Sequence, residues 1–245
     1  MKLTIGHLYP DLLNLYGDRG NIQCMRRRLE WRGLEAEVRE YTINDTIDFA
    51  SLDIVLLGGG SDREQMLVCS RLRDIRRDFA EYVEDGGVVL AVCGGYQLLG
   101  HYYDTSQGRI EGLSLVDLYT EQGSPRLISN IVLDSEHFAH PVTGFENHGG
   151  RTYIGRNEPF GTVRFGYGNK DHVEGETPCE GVIYRNVIGT YLHGPLLPKN
   201  PDVCDYLLSH ALGRRWGVTD LEPLDDSQEL EANAYIVKRF AQNAG

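Results

Sequence analysis

The sequence predicts an α/β protein, a mainly parallel sheet wound by helices with an antiparallel extension. Three observations carry this. Two short apolar runs, Ile54-Val55-Leu56-Leu57 and Val88-Val89-Leu90-Ala91-Val92, show no polar alternation, as expected of strands buried on both faces. Between them Leu72, Ile75, Phe79, Tyr82 and Val83 recur at helical spacing, so one helix is expected there. Glycine is frequent, 29 among 245 residues against a typical ~7 %, which favours many tight turns over a helical bundle.

Taken in order, residues 3–5 read as a first strand, and Gly20-Asn21 open a helix with Ile22, Met25 and Leu29 on one face until Gly33 stops it. Arg26, Arg27 and Arg28 read as its solvated face. Residues 35–41 alternate as a half-buried or edge strand, and residues 53–57 form a buried one that ends in Gly58-Gly59-Gly60. Ser61-Asp62 can cap the following helix, which stops at Asp85-Gly86-Gly87 before the second buried run. From about Gly108 glycine and aromatic residues increase, which reads as antiparallel strands added to the same sheet within a single domain spanning residues 1–245. Residues 127–133 are a strand in this portion, while 145–153 and 165–169 are glycine-punctuated and polar. Residues 181–184 and 187–192 are strands joined through Arg185-Asn186, the second delivering His193. Val203, Tyr206, Leu207 and Ala211 mark one helix, and Leu230, Ala234, Val237 and Phe240 another.

Composition narrows the function. With 36 acidic and 24 basic side chains the formal charge is −12, so no nucleic-acid or anionic membrane partner is expected. The five cysteines are widely spaced with no C-x-x-C pair, which indicates neither a disulfide framework nor a zinc site and makes the cytoplasm the expected location. Neither a leader nor a membrane span is expected, since no apolar run approaches the ~18 residues a span needs.

The chemistry centres on Cys93-Gly94-Gly95-Tyr96-Gln97. A buried strand, then a thiol, then a helix start lift a nucleophile clear of the sheet beside backbone N–H groups, and a helix N-terminus lowers a thiol pKa. An inert buried cysteine fits this segment equally well. His193, at another strand end, supplies the general base that a thiol nucleophile needs, and the N–H groups of Gly59, Gly60 and Gly94 supply an oxyanion hole. His137-x-x-His140 beside Glu136 reads as a surface loop, because Pro141 breaks any helix and no further ligands follow, so no metal is expected. The triple glycine lacks the Gly-Lys-Ser/Thr ending of a phosphate loop. His148 is either a structural residue or part of a site wall, and Arg126 alone reads as solvated.

Gly58-Gly59-Gly60, Cys93-Gly94-Gly95-Tyr96-Gln97 and Tyr191-Leu192-His193-Gly194-Pro195 together resemble the marks of class I glutamine amidotransferases, in the cobyric-acid-synthase-like branch. Asn14-Leu15-Tyr16, Gly20-Asn21-Ile22, the run from Gly58 to Gln65, the run from Phe145 to Tyr153, Phe165-Gly166-Tyr167-Gly168-Asn169 and Gly189-Thr190 extend the likeness to almost the whole chain. It is then similar to the GatD family, the glutaminase subunits of lipid II isoglutaminyl synthases. The resemblance implies a flavodoxin-like domain in which Cys93 attacks L-glutamine, His193 moves protons, Arg126 binds glutamine and Gln97 contacts it. It implies no cofactor on this chain. ATP and magnesium belong to a Mur-ligase-like partner, MurT, which uses the ammonia to amidate the α-carboxylate of D-glutamate in the lipid II stem peptide. One position departs from the wider pattern: where ordinary members carry a glutamate two places after the histidine, this chain has Pro195, and the next acid is Asp202. The expectation is that the partner supplies the orienting carboxylate. A cobyric-acid-type subunit, a partner-independent cysteine hydrolase and a non-catalytic module of this fold are the rival readings; the first usually carries a fused synthetase domain.

Overall fold

In the computed structural model, which describes residues 1–14 and 17–241, the chain begins with β1 (Lys2–Leu8), α1 (Arg19–Trp31) and β2 (Glu35–Tyr41). Leu15 and Tyr16 of the Asn14-Leu15-Tyr16 motif lie outside the described residues. β3 (Ile54–Leu57), α2 (Asp62–Asp74), α3 (Arg76–Glu84), β4 (Val88–Val92) and α4 (Gly94–Leu98) follow. Together with β11 (Val182–Tyr184) and β12 (Val187–Thr190), the strands form a six-stranded sheet in the order β11-β12-β4-β3-β1-β2. Every neighbouring pair is parallel except β11 with β12. The order reverses beside β1, and in such sheets ligands bind beyond the carboxyl ends of the strands. β3 and β4 are buried throughout, which is why they read as unbroken apolar runs, and β2 is the edge strand its alternation predicted.

Three expectations change. The predicted single helix is two, broken at Ile75, where ψ opens to 10° before α3 starts. Phe79 and Tyr82 then pack on Phe49 from α3, with the Phe49 and Phe79 rings 4.7 Å apart. Arg28 is buried: Asp205 holds its Nε and Nη2 at 2.7 Å each, and Asp226 also bonds it. These carboxylates come from α5 (Pro201–Trp216) and from the start of α6 (Ser227–Phe240). The antiparallel portion is a second sheet instead of an addition to the first, apart from β11.

This second sheet contains β5 (Tyr102–Thr105), β6 (Gly108–Glu111), β7 (Tyr119–Asp134), β8 (Val142–Tyr153), β9 (Gly161–Phe165) and β10 (Cys179–Glu180). β7 and β8 pair over most of their length, so the glycine-punctuated segment at 145–153 is a strand. Their register shifts between Gln122 and Leu127, an irregularity that contains Pro125, which has no N–H for a ladder, and Arg126. The sheets meet where His193 N–H donates to Phe145 O at 2.8 Å, and one apolar core contains residues of both. No helix among the described residues is long and apolar enough to cross a membrane.

Candidate active site

Cys93 follows β4 directly and adopts φ 51° and ψ −107°, a left-handed conformation that a non-glycine residue reaches at a cost of ~1–3 kcal/mol. The surroundings hold it there. Its N–H donates to Thr190 O at the end of β12 (2.8 Å), and its carbonyl accepts Gln97 N–H (3.0 Å). The adjacent Gly94 N–H favours the thiolate. Burial nevertheless pushes the thiol pKa up to about 12, reinforced by the Asp18 and Asp62 carboxylates and opposed by the Gly94 N–H and Arg126. Burial thus acts against the lowering expected from a helix N-terminus, and α4, with five residues, is a short helix.

His193 is fully buried, which drives its pKa down to about 3, with His148 and Arg126 acting in the same direction. It faces Cys93 across Gly59. A β-carbon built on Gly59 would stand 3.1 Å from Cys93 Cβ and 3.4 Å from His193 Cε1, so a side chain there would crowd the thiol. Both groups are neutral near pH 7 in this arrangement. The Gly59 N–H donates to Asp18 Oδ2 at 2.8 Å and is thus engaged within the protein. Gly60 lines the cavity in front of Cys93, and its carbonyl accepts Gln65 Nε2 at 3.2 Å.

That cavity, about 380 Å³, is walled by both sheets. From the first come Cys93, Gln97 and the start of α2, where Ser61 and Glu64 form a reciprocal cap that fixes Asp62 in the first helical turn. From the second come Tyr103, Arg126, Asn147 and His148. Arg126 is exposed to the cavity, its Nε and Nη2 donating to Asn147 Oδ1 (3.1 and 3.0 Å) and Nη2 also to Asn147 O (2.9 Å). Asp62 carries the opposite charge in the same cavity, where Tyr103 also lines the wall. Gln97 forms the floor, accepting Gln65 Nε2 (3.2 Å) and donating to Tyr191 OH (3.1 Å). His148 has both roles the sequence left open: it lines the cavity and stacks on Tyr191 with ring centroids 3.6 Å apart.

His137 pairs with Glu158 and His140 with Asp202, so neither histidine reaches the cavity. The Asp202 carboxylate is thereby committed to His140, and Pro195 packs on Gly20 at the start of α1. Among the described residues no group of three or more His, Cys, Asp and Glu could hold a metal ion. Sequence reasoning missed Asp18 and Asp62. Both stand at helix starts, where an aspartate reads as an ordinary cap.

Residues 4–201 match the family of CobB/CobQ-like glutamine amidotransferase domains. The chain is 44% identical over 242 residues to the lipid II isoglutaminyl synthase (glutamine-hydrolyzing) subunit GatD of Staphylococcus aureus, covering 97% of this chain and 96% of that one. The GatD subunit of Streptococcus pneumoniae is 40% identical over 219 residues, covering 88% of this chain and 83% of that one. A cobyric acid synthase of Listeria innocua is 28% identical over 66% of this chain but only 32% of its own length. Among solved structures, a glutamine amidotransferase at 17% identity superposes with a TM-score of 0.54, covering 84% of this chain and 98% of the other. The fold, the elbow and these relatives agree: the chain belongs to the CobB/CobQ-like glutamine amidotransferase family, and its relatives over nearly the full length are GatD subunits.

Proposed function

We propose that this chain is the glutaminase subunit of a lipid II isoglutaminyl synthase. The observation that carries the reading is the cavity itself: Cys93 at its floor, with Arg126 and Asp62 as opposite charges on its walls. Free glutamine is a zwitterion with a neutral amide at the far end. Arg126 matches its α-carboxylate and Asp62 its α-ammonium group, which leaves the side-chain amide for Cys93.

In the proposed reaction His193 takes the thiol proton as the sulfur attacks the amide carbon, and the tetrahedral oxyanion is held by backbone N–H groups of the Gly60 and Gly94 region. The imidazolium returns the proton to the departing nitrogen, releasing ammonia and leaving a glutamyl thioester on Cys93. Water, deprotonated by His193, then hydrolyses the thioester to glutamate. A thiol held at about 12 and an imidazole at about 3 favour the neutral pair, so the resting centre is weakly nucleophilic. A carboxylate beside His193 raises the population of imidazolium and with it the thiolate. The family's orienting glutamate is replaced by Pro195, and Asp202 is held by His140, which supports a carboxylate contributed by a partner.

That partner, in this reading, is the Mur-ligase-like subunit MurT, which carries ATP and magnesium and uses the ammonia to amidate the α-carboxylate of D-glutamate in lipid II. The complex works in the cytoplasm as a heterodimer. The test is to co-purify this chain with the Mur-ligase-like subunit and assay ATP- and glutamine-dependent amidation of lipid II, with 6-diazo-5-oxo-norleucine as the active-site label. Amidation abolished by labelling Cys93 alone is expected. No amidation by a partner that remains active with free ammonia would refute the reading and favour another acceptor or a stand-alone hydrolase.

A further inference from the structure

We infer that Asp18 is a positioning residue that restrains this centre, its carboxylate holding the Gly59 N–H away from the oxyanion until that bond is given up. The inference rests on the glutaminase reading above. Asp18 occupies the N-cap position of α1, yet its side chain makes no capping bond. It is fully buried and turns instead toward the glycine loop, where Oδ2 accepts the Gly59 N–H at 2.8 Å. A β-carbon built on Gly58 would stand 2.8 Å from the same oxygen, so the carboxylate packs directly against the loop that faces Cys93. Oδ1 is buried without a hydrogen-bond partner among the described residues. Burial raises the Asp18 carboxyl to about 6, against the Gly59 bond, so it is ionised at neutral pH.

A carboxylate in this place opposes the reaction in two ways. It occupies a backbone donor, and a charge-assisted bond of this kind is roughly twice as strong as a neutral one, so neither water nor a glutamine carbonyl displaces it readily. Its charge also disfavours both anions the reaction forms, the Cys93 thiolate and the tetrahedral oxyanion. Burial first, and Asp18 and Asp62 after it, keep the thiol protonated, Arg126 and the Gly94 N–H act against them, and neutral His193 lies across Gly59. Of the two carboxylates Asp18 acts more strongly.

The test uses Asp18→Asn, which keeps the volume and an acceptor oxygen but removes the charge. With iodoacetamide at pH 8, Cys93 of the variant is expected to alkylate about tenfold faster than in the parent chain. Ammonia release from glutamine by the chain without its partner is expected to rise about tenfold as well. A role confined to folding leaves alkylation unchanged and lowers ammonia release; equal or slower alkylation overturns the proposal. Alkylation does not require glutamine chemistry, so a parent chain that releases no ammonia with any partner refutes the glutaminase reading and leaves this comparison decisive. If the variant does not fold, the Gly59 amide of the parent chain can be followed by nitrogen-15 NMR from pH 5 to 8. It is expected to shift with a midpoint near 6, and an amide that stays fixed overturns the proposal.

Discussion

The two sheets divide the site between them. The parallel sheet carries the proposed reacting groups, Cys93 after β4 and His193 after β12, each placed by a strand whose interior is wholly buried. The antiparallel sheet supplies Arg126, Asn147 and His148, placed by an irregular pairing of two long strands. A buried parallel sheet is stiff, so it suits groups that must meet within a fraction of an ångström. A register shift at an open strand suits a group that must reach out to a ligand. The division implies that lesions at Cys93, His193 and the Gly59 between them act on kcat, and a lesion at Arg126 acts on KM.

The largest effect tests the first half of that division. Cys93→Ala, assayed for ammonia release in the presence of the partner, is expected to lower kcat by at least ~10⁴-fold, as loss of a covalent nucleophile does. Gly59→Ala comes next. Its β-carbon meets Cys93 and His193 at 3.1 and 3.4 Å, so kcat is expected to fall ~10²-fold with circular dichroism unchanged. Arg126→Lys addresses the second sheet: it loses the planar fork on Asn147, and KM for glutamine is expected to rise roughly tenfold with kcat nearly retained. An equal fall in kcat would erase the proposed division.

The smallest effect concerns stability. His7 is fully buried in β1, and burial lowers its pKa from 6.5 to about 4. The unfolded chain therefore takes up a proton below pH 6.5 that the folded chain refuses until about pH 4. The stability linked to His7 is fully present above pH 6.5 and is lost as the pH falls to about 4, by at most ~1.4 kcal/mol per pH unit. Urea denaturation at pH 6.5 and 5 should show a smaller difference in His7→Gln than in the parent chain.

The contrast between the sheets also explains what the sequence reveals. Residues 54–57 and 88–92 are legible because burial on both faces leaves a continuous apolar run. The elbow alone is ambiguous, because an inert buried cysteine fits the same segment, and it becomes legible only beside the Gly58-Gly59-Gly60 loop and His193. β7 and β8 are less so: their polar and glycine positions are resolved into strands only by pairing with each other. Arg28 reads as solvated because its partners, Asp205 and Asp226, lie 177 and 198 positions away. Asp18 is not legible at all, because the N–H it accepts lies in a loop 41 positions on. The raised thiol pKa of Cys93 is a property of tertiary burial, which no local motif encodes.

In the proposed reading this site is assembled but dormant, with a neutral thiol and imidazole and Pro195 where ordinary members carry the orienting glutamate. The most direct measurement is ammonia release from L-glutamine by the chain alone and by the chain with the proposed Mur-ligase-like partner, at equal concentration and neutral pH. A rise of at least ~10²-fold is expected on adding the partner, in line with the loss that follows removal of an orienting acid from a triad. Equal rates with and without the partner would contradict it.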